Sequence, residues 1–229
     1  MMRFIGLVLI VTIIAASQKD PKELTGQSPN PSRLLEKEAQ AALDLMKTAA
    51  AKEGIQLKVV SGYRSFTRQK QLWNRKYKKY ELQGLEPEAI FDKIVEYSTI
   101  PGTSRHHWGT DIDIIDAHAT YSGDVLVPSK FHGTGPFCKL KEWMEQQASN
   151  YGFELVYTDN DRRTGFKYEP WHYSYAPLSR KRYQDYLKNI DLVSFLRAEA
   201  IMGMDQISEE RLHRYLEEHI KGINPQLKG

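Results

Sequence analysis

The sequence predicts an α+β domain, with helices packed on one side of a mostly antiparallel sheet. Three observations carry the prediction. Leu34, Leu35, Ala39, Ala42, Leu43, Met46 and Ala50 recur at helical spacing. Residues 55–59 (Ile-Gln-Leu-Lys-Val) alternate with the period of two that marks a strand. Further on, two more strand-like runs, 153–158 and 166–175, are joined by the turn-rich segment 159–165. The bulk properties agree: 229 residues suit one domain with some extra terminal structure, and 41% hydrophobic with 27% charged residues is ordinary for a globular chain.

In chain order, the N-terminus carries a positive charge at Arg3, an apolar run over 4–16 and small residues at 15–17. That is the layout of a secretory signal peptide over 1–17, with an apolar run too short for the roughly 20 residues of a membrane-spanning helix. After its cleavage no permanent membrane span is expected. Residues 18–30 are polar, contain Pro and Gly, and read as a linker. A first helix starts near Ser32 and stops at Gly54; a second covers 67–82 and a third 87–97. The basic run 75–79 falls on the second and reads as a solvated face, with a docking patch for an anionic polymer as the lesser reading. A formal charge of +3 is too small to argue for nucleic acid. Residues 109–115 read as a buried strand with Ile112 and Ile114 on one face and Asp111 and Asp113 on the other. A long excursion over 116–136 is of the kind that often contributes to a site. Cys138, the single cysteine, excludes an intramolecular disulfide and reads as a structural thiol opening a helix over 137–150. Residues 179–229 form a helical extension to a domain over 31–178, with Ser208 as a helix cap and an apolar stripe of Leu212, Tyr215, Leu216 and Ile220. Whether that tail packs on the domain or docks elsewhere is left open by the sequence.

The chemistry lies in two segments: residues 104–113 (Ser-Arg-His-His-Trp-Gly-Thr-Asp-Ile-Asp) and 169–172 (Glu-Pro-Trp-His). His106, Asp113 and His172 make a set of two imidazoles and one carboxylate. Such a set matches the three protein ligands of a catalytic zinc site with a fourth position open. Glu169, three residues before His172, puts a carboxylate beside the metal without obliging it to bind, as a general base requires. His106 and Asp113 converge only if the chain turns at Gly109, where a glycine suits the turn. Asp111 shares a strand face with Asp113 and should point to the metal side, where it can orient a ligand imidazole or pair with Arg105, or else compete for the metal in place of one residue of the set. His107 and Trp108 are expected to wall His106. Trp171 reads as packing, and His118, His132, His213 and His219 as surface or structural residues.

These motifs resemble a known family. Ser-x-His followed seven residues later by Asp, then Glu-x-x-His with Trp before the second His, is similar to the zinc D-alanyl-D-alanine carboxypeptidases and dipeptidases of the VanY and VanX type. That family shares its fold with the hedgehog signalling domain. Residues 61–65 (Ser-Gly-Tyr-Arg-Ser), with Gln69 after them, resemble its substrate-binding motif, and the three motifs occur in the family's order over 61–175. The resemblance implies that His106, Asp113 and His172 bind one zinc ion and that Glu169 is the catalytic base. It further implies that Arg64 stabilises the oxyanion, while Tyr63, Gln69 and Ser104 line the pocket for the substrate's terminal residue and carboxylate. Asp111 departs from the small apolar residue the pattern has there. The implied substrate is a peptidoglycan stem peptide ending in a D-amino acid, met in the periplasm or cell envelope. An L,D-carboxypeptidase, a D,D-dipeptidase or an endopeptidase would use the same machinery, and a non-catalytic wall-binding module could keep the zinc and lose turnover.

Overall fold

A computed structural model of the chain describes residues 19–28 and 34–229. The expected signal peptide over 1–17 and the expected helix start at Ser32 lie outside those residues. Part of the segment read as a linker is helical: α1 (Pro21–Leu24) is capped by the Asp20 carboxylate, which accepts from the Lys22 N–H. Leu24 is buried and its carbonyl accepts the Trp108 indole N–H.

The helix α2 (Lys37–Lys52) buries Ala39, Leu43, Met46 and Ala50, the stripe its spacing predicts. A strand β1 (Leu57–Ser61) follows, then α3 (Phe66–Glu81), capped by Ser65, and α4 (Pro87–Val95). One 3₁₀ turn (Arg105–Trp108) leads into β2 (Asp111–Asp116). The helix α5 (Cys138–Gln147), with a 3₁₀ turn to Tyr151, precedes β3 (Phe153–Leu155). The last strand, β4 (His172–Tyr175), runs straight into α6 (Ala176–Asn189). Two further helices are α7 (Leu192–Ala198) and α8 (Glu209–Tyr215), the latter capped by Ser208 and continued by a π turn to Ile220.

Among the described residues, the four strands form one antiparallel sheet in the order β1-β2-β4-β3. The strand expected over 166–175 is therefore only four residues long. Pro170 has no N–H for a ladder, and the Glu169 N–H is spent on the Tyr157 carbonyl, so 166–171 form an irregular arm beside the sheet. Ile112, Ile114, Tyr173 and Tyr175 pack with α2 and α5 in one hydrophobic cluster. A second cluster joins Trp73 and Tyr77 of α3 and Phe91 of α4 to Tyr183, Tyr186, Leu196, Leu212 and Tyr215. The residues from 179 onward are thus a packing layer of the fold.

Candidate metal centre and cleft

The register of the sheet assembles the centre. Asp113 of β2 stands opposite Ser61 on one side and His172 on the other, while Asp111 stands opposite Ser174. Directly opposed side chains share a face, as do i and i+2. Asp111, Asp113, His172 and Ser174 therefore lie together, with all residues of β2 and β4 buried. His106 arrives from the 3₁₀ turn, which ends at Gly109 with φ of 64°, a left-handed conformation that favours glycine. There the chain also meets α2, since the Glu36 N–H donates to the Gly109 carbonyl.

One nitrogen of each imidazole is fixed by a group outside the converging set. His106 Nδ1 is 2.9 Å from the Gly62 carbonyl, so it carries the proton and donates. Gly62 is required by close approach: a Cβ there would lie 2.6 Å from the Leu34 carbonyl oxygen. His172 Nε2 donates to Asp111 Oδ2 at 3.0 Å. Asp111 is fully buried and also accepts from Arg105 Nε at 2.9 Å, Thr110 Oγ1 at 2.8 Å and Ser174 Oγ at 2.6 Å. Arg105 donates in turn to Ser174 at 2.7 Å. Both expected roles of Asp111, orienting an imidazole and pairing with Arg105, are thus combined in one carboxylate.

The donor atoms left over suit a cation. Among the described residues, His106, Asp113 and His172 are the group whose ligand atoms all lie within 4.8 Å of one another. With Nδ1 protonated, His106 Nε2 presents a lone pair to Asp113 Oδ2 at 3.3 Å, an arrangement that repels unless positive charge lies between. Among the described residues Asp113 Oδ1 is buried without a hydrogen-bond partner, a costly state for a carboxylate oxygen. It stands 3.9 Å from His172 Nδ1. Burial pushes the His106 pKa down; Asp113 is held below the usual carboxylate range because His106, His172 and Arg64 outweigh its own burial. For His172 burial also acts downward, but the hydrogen bonds to Asp111 and Glu169 prevail and raise it to about 10. The Nδ1 side of that ring thus faces carboxylates and favours a positive charge. A metal ion can take the place of that proton.

Glu169 Oε2 lies 3.0 Å from His172 Nδ1, outside the converging set, and burial raises its pKa. Arg64 donates from Nη1 to Gln69 Oε1 at 2.9 Å and from Nη2 to Ser61 Oγ at 2.7 Å, and its Nη2 is 3.7 Å from Asp113 Oδ2. A guanidinium has five N–H groups, so donors remain for the cleft that Arg64 lines. That cleft, about 470 Å³, is also bordered by Ser104, His106, Asp113, Glu169 and His172.

Other residues singled out from the sequence lie elsewhere. Gln69 does not line the cleft: it stands behind Arg64, fully buried, with its amide donating to the Thr99 carbonyl at 2.8 Å. Tyr63, with His107 and Trp108, borders a separate recess beside Ser28 and Glu36. His107 there ties two loops, donating to the Arg64 carbonyl at 2.5 Å and accepting from the Gly102 N–H at 3.1 Å. Trp171 lines the cleft and packs on Phe131 at 5.7 Å. The excursion contributes Asp124 and Leu126 to Pro128 to the cleft, as its length suggested, whereas Leu72 and Lys76 of α3, the stretch Tyr97–Thr99, and Tyr157 with Phe166 were not foreseen. A helical wheel offered one signal, since Gln69, Leu72 and Lys76 follow each other at i, i+3 and i+7.

An antiparallel α+β fold with a buried two-histidine, one-aspartate cluster at the floor of a cleft defines a candidate metallohydrolase. The family model described as VanY, D-alanyl-D-alanine carboxypeptidase, matches residues 32–178. The chain belongs to that family. A D-alanyl-D-alanine carboxypeptidase of Enterococcus faecalis is 29% identical over 129 residues, covering 56% of this chain and 43% of that one. The solved structure of VanYB in complex with D-alanine-D-alanine is 25% identical with a TM-score of 0.51, over 72% of this chain and 83% of that one. The LdcB LD-carboxypeptidase structure is 26% identical with a TM-score of 0.50, over 84% and 74% respectively. The chain spans about half the length of most of the curated relatives it matches.

Proposed function

We propose that this protein is a zinc-dependent D-alanyl-D-alanine carboxypeptidase that removes the terminal D-amino acid from peptidoglycan stem peptides. The observation that carries the reading is the meeting of His106, Asp113 and His172 within 4.8 Å, with Glu169 and Arg64 facing the same cleft. Those three residues would hold one zinc ion. When bound, zinc would supply Lewis acidity and acidify water at neutral pH. Glu169, its pKa raised by burial, is placed to take the attacking water's proton and return it to the leaving amine. Arg64, pinned by Gln69 and Ser61, presents its remaining N–H groups to charge developing on the scissile carbonyl oxygen. Asp111 fixes the His172 tautomer with Nδ1 toward Asp113. Ser104 is the remaining residue of the proposed substrate set that borders the cleft.

The N-terminal layout supports export to the cell envelope, where such a substrate lies, and no helix among the described residues is long and apolar enough to cross a membrane. The test is to incubate the zinc-loaded protein with a pentapeptide ending in D-Ala-D-Ala and measure free D-alanine. Release that disappears in Glu169→Ala, at unchanged zinc content, supports the reading. Unchanged hydrolysis in that variant sinks it. The likeness to an LD-carboxypeptidase supports a second reading, to which cleavage of the tetrapeptide in place of the pentapeptide would move the assignment.

A further inference from the structure

The helix α3 carries a cation for which the proposed chemistry has no use. Lys76 lines the cleft together with Leu72, two turns from Gln69, or about 10.5 Å along the axis. It is half-buried and, among the described residues, makes no hydrogen bond and no ion pair. Desolvation dominates and lowers its pKa, while Glu169 and Asp124 favour its charge and Arg64 and Arg75 oppose it. The other Lys and Arg residues of the run 75–79 behave differently, since Arg75, Lys78 and Lys79 are exposed. An ammonium withdrawn from water without a counter-ion is a cost that an arriving anion offsets. Long helical side chains lean toward the N-terminal end of their helix, here toward Arg64. The wall made by α3 and the loop before it therefore offers two positive charges to one bound peptide, of which the developing oxyanion uses the first.

We propose that Lys76 is a substrate-anchoring residue that binds a carboxylate of the peptide; the inference rests on the hydrolase reading above and specifies its substrate. The carboxylate could be the peptide's own C-terminus or one carried further along the chain, and the two sources are separable. Peptide binding is measured by calorimetry on the full-length, zinc-loaded Glu169→Gln protein, which removes turnover from the readout, with and without Lys76→Met. Three otherwise identical pentapeptides are used: fully acidic, amidated at the C-terminus, and amidated at the internal carboxylate. The expected result is a Kd about tenfold or more higher in Lys76→Met for the acidic peptide, as for a lost hydrogen bond to a charged group. Lys76→Arg should recover most of that loss, which a purely structural lysine at a helix face would not require. The lysine effect should vanish for whichever amidated peptide lacks the carboxylate it binds. Equal affinity with and without Lys76→Met, or an effect that survives both amidations, overturns the inference while leaving the hydrolase reading in place. Absence of D-alanine release by the unmodified protein sinks that reading but not the Lys76 contrast.

Discussion

The two walls of the cleft are built on different principles. On the sheet wall, Asp113 and His172 are neighbours because β2 and β4 pair in that register, and every residue of both strands is buried. On the helical wall, Arg64 and Lys76 reach the cleft on long side chains from α3 and the loop before it, in a half of the molecule whose core is completed by the tail. Moving a residue on the sheet wall means shifting a ladder, which turns its side chains to the opposite face. A change on the helical wall replaces one side chain at a time. Two of the metal-type donors, Asp113 and His172, therefore occupy the wall that cannot vary in small steps, while Arg64 and Lys76 occupy the wall that can; His106 comes from the 3₁₀ turn before β2 and Glu169 from the arm before β4.

Replacing Asp111 with Asn should test the sheet wall most severely. Arg105 would become a buried cation without its counter-charge, at a cost of about 3–5 kcal/mol in thermal or chemical unfolding. The loss of the carboxylate behind His172 should also weaken metal affinity by about 10–100-fold, read by chelator competition. Leu212→Ala acts on the helical side only: its fully buried side chain should cost about 2–5 kcal/mol of stability, with metal affinity of the folded protein unchanged. A drop in affinity there would contradict the separation of the walls. Arg64→Met should lower kcat by about a hundredfold or more, or about 3 kcal/mol, with metal content retained. The smallest effect concerns pH.

His219 packs against Tyr215 at 4.8 Å and Phe166 at 4.9 Å, and burial followed by the Arg211 charge holds its pKa down at about 4. Unfolded, it would titrate near 6.5, so the unfolded chain binds the extra proton first. Stability from this site is complete above about pH 6.5 and is lost as pH falls toward 4. His219→Gln should flatten the dependence of Tm on pH across that window. An unaltered slope would place the acid sensitivity elsewhere.

How far each wall could be read in advance follows from the same contrast. A strand shows its faces through a period of two, so the shared face of Asp111 and Asp113 was visible in the sequence, and Gly109 marked the turn that brings His106 back. The strand expected over 166–175 was too long because Glu169 gives its N–H to Tyr157 across the chain, a contact local pattern does not contain. On the helical wall, Gln69 and Lys76 share an i, i+7 stripe, but spacing does not say which part of it meets core, guanidinium or cleft, and the run 75–79 read as a solvated face. Gln69 thus stands behind Arg64, Tyr63 opens on another recess, and one lysine of a seemingly solvated run turns inward.

By itself, the sequence determined the α+β class, the donor types and the order of the motifs, because these depend on periodicity and on the chemistry of residues close in the chain. The tertiary structure decided which imidazole nitrogen faces the candidate metal, that Asp111 answers both Arg105 and His172, and which cations look into the cleft. Each of those outcomes depends on groups brought together from distant segments, and only the packed chain fixes their distances.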